Sequence, residues 1–142
     1  MIVRNFLNSD IEKASQITHT VWGNLYASES NDLQKLIYDF TLEYYYLNKN
    51  FSFALDDEGL CGLIFASSKT DENSITDKYK NKISSFNEKD KKTALNLFDY
   101  VENTGKEVKK VMNDDDLMMG LFISRKKGGG KMLLSKLKES AI

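Results

Sequence analysis

A chain of 142 residues with 41% hydrophobic and 29% charged residues is ordinary for one soluble domain that can bury a core. Its formal net charge of -1 argues against a molecule that binds polyanions through bulk charge, and a lone cysteine, Cys61, excludes an internal disulfide framework. The single histidine, His19, leaves no Cys/His cluster at metal spacing. No run approaches the roughly 20 apolar residues of a membrane-spanning helix, and the opening M-I-V-R-N-F-L-N-S-D lacks a signal-peptide core, so a reducing, cytoplasmic setting is expected.

Ile2 to Phe6 alternates as a short edge strand does. Ser9-Asp10-Ile11-Glu12 then matches a capping box, with Ser9 as the cap and Glu12 three residues on. Ile11, Ala14, Ile17, Val21 and Trp22 recur at helical steps and form one apolar stripe up to Gly23. Gly23 to Asn31 reads as loop. A second helix is predicted from Asp32 to Leu47, capped by Asn31, with Leu33, Leu36, Ile37, Phe40 and Tyr44 on its buried face. Neighbours on a helix are about 100° apart, so at least one of Tyr44, Tyr45 and Tyr46 should be exposed.

Phe51 to Leu55 and Leu60 to Ser67 flank Asp56-Asp57-Glu58-Gly59, and the glycine suits the positive φ of a tight hairpin. Gly62, inside the second strand, marks a bulge or a close approach to the backbone. Lys69 to Asn113 is polar and helical in period, with Ile75, Tyr79, Ile83 and Phe86 in one apolar set and Leu95, Phe98, Val101 and Val108 in another. Two helices are predicted, about Ile75 to Phe86 and Glu88 to Met112, the second a candidate for a break at Gly105. With no internal repeat and no low-complexity tract, residues 1–142 read as a single domain with a helical insertion over 68–115.

The most informative stretch comes last. Leu117 to Ile123 is a short apolar run that suits a strand buried on both faces, and Gly128-Gly129-Gly130 follows it closely. Met132, Leu133, Leu134 and Leu137 then restart the pattern at helical spacing. Strand, glycine turn and helix together build an anion site, because the first amides of a helix have no intrahelical partner and carry the positive end of its dipole. Arg125, Lys126, Lys127, Lys131, Lys136 and Lys138 give that stretch the matching sign, with no acidic residue between Arg125 and Lys138. The P-loop and dinucleotide fingerprints do not fit: Met132 follows Gly130-Lys131 where Ser or Thr is needed, and Leu133 stands where a third glycine would.

Arg125-Lys126-Lys127-Gly128-Gly129-Gly130, followed by K-M-L-L-S-K-L, resembles the Gln/Arg-x-x-Gly-x-Gly/Ala signature of the GNAT superfamily of acetyl-coenzyme A dependent N-acetyltransferases. The opening I-V-R-N-F-L-N-S-D-I-E-K-A and the hairpin F-S-F-A-L-D-D-E-G-L-C-G-L-I-F also look like their GNAT counterparts, in the same order of elements. The resemblance implies an α/β fold, a mixed and mainly antiparallel sheet flanked by helices, with the helical insertion between the third and fourth strands. It implies acetyl-coenzyme A as co-substrate, its pyrophosphate held by Arg125, Lys126, Lys127, Gly128, Gly129, Gly130 and Lys131. Its pantetheine arm would pair with the backbone of Leu121, Phe122 and Ile123. The acceptor implied is a primary amine, on a small molecule or a peptide.

The family continues past this point with a fifth strand, splayed from the fourth, then a helix and two further strands. The chain stops at Ile142, so it reads as a C-terminally truncated member without fifth to seventh strands. The residue expected to protonate the departing thiolate lies in those elements, so the catalytic residues stay unknown. An apolar strand without its covering neighbour invites self-association, so a homodimer through the strand edge is an expectation.

The remaining candidates weigh towards structure. His19 at the end of the first helix, Cys61 in an apolar strand and Trp22 in the helix stripe each suit packing better than chemistry, although Trp22 and Tyr26 lie beside the loop that lines the acceptor site in GNAT relatives. Asp114, Asp115 and Asp116 suit a solvated turn better than a general base. Two further readings stay open: an interaction module without turnover, and nucleic-acid binding by Arg125 to Lys138, which is disfavoured.

Overall fold

The computed structural model describes residues 1–22, 30–72 and 75–141. Four strands form one antiparallel sheet in the order β1 (Ile2–Asn5), β2 (Ser52–Asp56), β3 (Leu60–Ser68) and β4 (Leu117–Ser124). Helices α1 (Ile11–Trp22) and α2 (Asn31–Tyr45) cover one face, packing Ala14, Ile17 and Leu42 against Phe6, Ala54, Leu63, Phe65, Leu121 and Ile123. Helix α5 (Gly129–Ser140) covers the other, setting Leu133 and Leu137 on Phe53, Leu55, Cys61, Ile64 and Ala66. Within β2 and β3 successive residues point to opposite helical layers, the two-residue period of a strand expressed as burial on both faces.

Residues between β3 and β4 supply a third layer. Helix α3 (Thr76–Lys82), a short 3-10 turn over Ile83–Ser85 and helix α4 (Glu88–Val111) place Tyr79, Ile83, Ala94, Phe98 and Val101 against Leu33, Leu36, Ile37 and Phe40 of α2. Helix α2 is therefore buried on two sides, which adds Tyr38 and Leu42 to the predicted single face. The same sandwiching overturns the expectation that one of the three tyrosines is exposed. All three are half-buried: Tyr44 meets α4, Tyr45 meets β4, and Tyr46 packs on Phe6 and Phe65 beyond the helix end, its hydroxyl donating to the Phe6 carbonyl at 2.8 Å.

Four local expectations are corrected. The first helix does not start on a Ser9 cap. A 3-10 turn over Asn8–Asp10 leads into it, and the Asp10 carboxylate accepts from the Leu7 amide at 2.8 Å while Arg4 grips it at 2.7 and 2.8 Å. Helix α2 is capped by Ser30, whose hydroxyl accepts from the Leu33 amide at 3.2 Å, and Asn31 is its first residue. Gly105 does not break α4: an added Cβ would sit 3.2 Å from the Tyr44 hydroxyl, so the glycine makes room for a ring from α2. Finally, β4 is not buried on both faces. It is the edge strand, with Leu121 and Ile123 buried and Met119 and Phe122 exposed at 45% and 38%. Two-sided burial belongs to the central strands, which sequence hydrophobicity alone does not separate from an apolar edge.

The hairpin turn places Glu58 at φ 58° and Gly59 at φ 126°, as its glycine suggested. Gly62 is a point of close approach, since a Cβ there would lie 2.7 Å from the Ile123 carbonyl oxygen across the β3–β4 ladder. The predicted loop lies, over residues 23–29, outside the described residues, and Tyr26 with it; the side chain of Trp22 is outside them too.

Candidate functional site: the turn from strand to helix at the sheet edge

The site begins with the last residues of β4. The ladder to β3 pairs Leu121 with Phe65, Phe122 with Ile64, Ile123 with Leu63 and Ser124 with Gly62, and it ends on the Arg125 amide donating to the Cys61 carbonyl at 3.0 Å. Antiparallel pairs alternate between bonded and non-bonded, so counting back from Arg125 leaves Ile123 and Leu121 bonded to β3. The amides and carbonyls of Ser124 and Phe122 then point to the free edge. Of the three strand residues expected to meet a ligand through their backbone, Phe122 faces outward, and Ser124 joins it.

One irregularity lies just upstream. Ala66 pairs with Met119 and Phe65 with Leu121, so Gly120 has no partner opposite and forms a bulge. A Cβ on Gly120 would be 2.5 Å from Cδ1 of Tyr45, which means that the aromatic ring from α2 rests directly on the bulged backbone. Nothing in the sequence pairs these two positions; Tyr45 is the middle of three identical neighbours, and the bulge is a property of register.

The glycine turn follows. Gly128 sits at φ 82° and ψ -14°, in the region that L side chains disfavour, and the turn closes on the Gly129 amide donating to the Lys126 carbonyl at 2.9 Å. That bond consumes one amide of the expected cradle. The Gly130 and Lys131 amides donate to no backbone carbonyl among the described residues, and they open at the N-terminus of a twelve-residue helix. Gly129 is buried against the sheet, where a Cβ would come within 2.3 Å of Leu55 Cδ2 and 2.9 Å of Ser124 Oγ. At Gly130 the nearest atoms are the Phe122 ring, at 3.5 and 3.7 Å, an ordinary contact. The three glycines thus do different things: one turns the chain, one lets the helix approach, and one leaves space.

The six cations of this stretch do not converge. Lys126 pairs with Asp57 of the hairpin at 3.3 Å, and Lys136 lies 5.9 Å from the centre of the Phe53 ring. The exposed turn stands between two clefts. One, of about 460 Å³, runs along α5 beside Gly128, Lys131, Met132, Ser135, Lys136 and Glu139, with Val3 of β1 as its far wall. The other, of about 360 Å³, is lined by Arg125 and Lys126, by Leu60 and Cys61 of the hairpin, and by Lys13 and Ile17 of α1. Lys13 is a candidate that sequence reasoning missed, because nothing local distinguishes an exposed helical lysine from any other.

The remaining candidates take structural places. Burial pushes the Cys61 thiol up, with Asp57 adding to the effect, and its Sγ donates to the Leu55 carbonyl at 3.5 Å. His19 stacks on Tyr38 with ring centres 5.3 Å apart, on the wall of a separate cleft between α1 and α2 that also exposes Glu12, Gln16 and Lys35. Asp116 accepts from the Asn113 amide at 2.8 Å in the turn before β4, and Asp114 and Asp115 are exposed. Among the described residues no helix is long and apolar enough to cross a membrane.

No family model matches the chain, and no curated protein matches its sequence. A solved structure does match: the crystal structure of N-acetyltransferase from Staphylococcus aureus Mu50, with a TM-score of 0.55 at 15% identity, covering 99% of this chain and 76% of that chain. The fold is therefore that of an N-acetyltransferase: a mixed α/β architecture with a four-stranded antiparallel sheet flanked by helices.

Proposed function

We propose that this chain binds acetyl-coenzyme A and transfers its acetyl group to a primary amine. The observation that carries the reading is the left-handed turn at Gly128, which sets the open amides of Gly130 and Lys131 at the end of an edge strand, on an N-acetyltransferase fold. The diphosphate would rest on Gly128 to Lys131, with Arg125, Lys126, Lys127 and Lys131 supplying charge; charge-assisted hydrogen bonds are roughly twice as strong as neutral ones. The pantetheine arm would extend β4 at its free edge, exchanging hydrogen bonds with Phe122 and Ser124, while Leu121 and Ile123 hold the strand in the sheet.

The chemistry is an exchange of one bond for another. A neutral amine nitrogen attacks the thioester carbonyl, a C–N bond forms, the C–S bond breaks, and the sulfur leaves to be protonated as the free thiol. The nitrogen gives its proton to a base or to a water chain. The carbonyl oxygen gains negative charge on the way, and backbone amides are what stabilise it. The Gly120 bulge, where the ladder to β3 is interrupted and Tyr45 fixes the chain, is the place on β4 suited to that task.

A second reading is an interaction module without turnover, and the edge strand favours it. Met119 and Phe122 are exposed apolar side chains on a strand whose outer edge is unpaired within the described residues, a surface open to a second copy of this chain. Thermal shift with acetyl-coenzyme A, thiol release with a panel of amines, and light scattering separate the two. A ligand-induced rise in melting temperature with thiol release supports the transferase. A rise without release, with a concentration-dependent dimer, supports the module; no rise removes the coenzyme reading.

A further inference from the structure

We propose that Lys13, Arg125 and Lys126 form a phosphomonoester pocket beside the diphosphate cradle, and that it recognises the 3′-phosphate of coenzyme A. This deepens the acyl-coenzyme A reading and rests on it.

The pocket is assembled from distant parts of the chain. Helix α1, packed on one face of the sheet, brings Lys13 beside Arg125 and Lys126 at the end of β4, and Ile17, Leu60 and Cys61 complete the lining of the cleft between them, about 360 Å³. Its lining is one-sided: three cations and no carboxylate. Asp57 of the hairpin pairs with Lys126 at 3.3 Å. Lys13 and Arg125 form no ion pair and no side-chain hydrogen bond among the described residues. A chain with 21 acidic and 20 basic residues has ample carboxylates to neutralise such a cluster. Lys13 and Arg125 stand together here without such a partner, and a doubly charged anion would offset the repulsion between them. The cleft on the α5 side lacks this property, since Glu139 shares it with Lys131 and Lys136.

Position supplies the rest. Arg125 and Gly128 are three residues apart, and a fully extended chain covers at most about 3.6 Å per residue, so the pocket and the cradle lie within about 11 Å of each other along the backbone. A ligand that fills both must carry a diphosphate and a phosphomonoester at that spacing. A ribose bearing both groups does so, and coenzyme A bears the diphosphate on its 5′ and the monoester on its 3′ oxygen. Inorganic phosphate or an ordinary nucleoside diphosphate would fill one site and leave the other empty.

The experiment is titration calorimetry with coenzyme A, 3′-dephospho-coenzyme A and adenosine 3′,5′-bisphosphate on the wild type and on K13Q, K13R and K131Q. Wild-type protein should bind coenzyme A on the order of tenfold more tightly than the dephospho form, the effect of about one charge-assisted hydrogen bond. K13Q should lose about that factor for coenzyme A and leave the dephospho form unchanged; K13R should restore it, and K131Q should weaken both forms alike. Equal losses for both forms in K13Q, or no discrimination by the wild type, overturns the proposal. If neither coenzyme form binds but the bisphosphate does, and K13Q weakens it, the pocket stands and the acyl-coenzyme A reading falls. Absence of binding by all three overturns both.

Discussion

Replacing Gly128, Gly129 and Gly130 by alanine, one at a time, should give three different results from three identical residues. At Gly129 the new methyl would meet Leu55 Cδ2 at 2.3 Å, and Leu55 is fully buried on β2 beneath α5, so neither side can yield without shifting the helix. Overpacking of this kind costs about 1–3 kcal/mol. The gain from alanine over glycine in a helix, about 1 kcal/mol, offsets part of it and leaves a net loss of roughly 0–2 kcal/mol. At Gly128 there is open space, but φ of 82° imposes on alanine the left-handed penalty of about 1–2 kcal/mol. At Gly130 the Phe122 ring stands at ordinary contact distance, so alanine should be neutral or stabilising by up to about 1 kcal/mol. Chemical denaturation at constant m-value reads the order directly, Gly130→Ala at or above wild type and the other two below it. Binding of coenzyme A should fall for Gly129→Ala, whose helix start is displaced, and persist for Gly130→Ala. A Gly130→Ala protein as unstable as Gly129→Ala would refute the placement of α5 on the sheet.

Other expectations follow from particular contacts. Gly120→Ala should cost about 1–3 kcal/mol by driving a methyl into the Tyr45 ring, and much of that loss should vanish in a Tyr45→Ala background; additive effects in a double-mutant cycle would show that the ring does not rest on the bulge. Gly105→Ala should be near neutral in the wild type, where the Tyr44 hydroxyl crowds it, and stabilising by about 1 kcal/mol once Tyr44→Phe removes that oxygen, as thermal melts can read. The Arg4 guanidinium holds the Asp10 carboxyl below its usual range, against the opposing effect of burial. A depressed carboxylate stabilises the fold above its unfolded pKa of about 3.9, and that contribution is lost as pH falls through the lower folded value. Denaturation midpoints should therefore drop below about pH 4, and Asp10→Asn should flatten that part of the curve. Burial also keeps Cys61 protonated, so a thiol reagent at neutral pH should label it slowly in the native state and rapidly in denaturant; fast native labelling would contradict its placement.

Much of the architecture could be read in advance, for a local reason. The hairpin announced itself through Asp57-Glu58-Gly59, because a tight turn needs positive φ and glycine supplies it. The helices announced themselves through apolar spacing, and α4 began at Glu88 as its period suggested. The turn before α5 was legible because three glycines and a cluster of cations mean something physically wherever they stand. What was misread depends on neighbours distant in sequence. Leu117 to Ile123 is as apolar as a central strand, yet it lies at the edge of the sheet. Ser9 and Glu12 have the spacing of a capping box, but Asp10 won the role because Arg4 on β1 holds its carboxylate in place. The spacing of the tyrosine run implies one buried face, while the chain between β3 and β4 folds back to give α2 a second.

The candidate site divides along the same line. Its chemistry is local, carried by a turn of six residues whose backbone freedom and charge are intrinsic to their types, and the proposal of an anion there rests on sequence by itself. Its boundaries are not local. That Gly129's amide closes the turn, that Phe122 and Ser124 turn their backbone outward, and that Gly120 bulges under Tyr45 follow from strand register, which only the assembled sheet fixes. The convergence of Lys13 with Arg125 and Lys126 depends on how α1 packs on the face of the sheet, since packing brings together residues that no pattern along the chain relates.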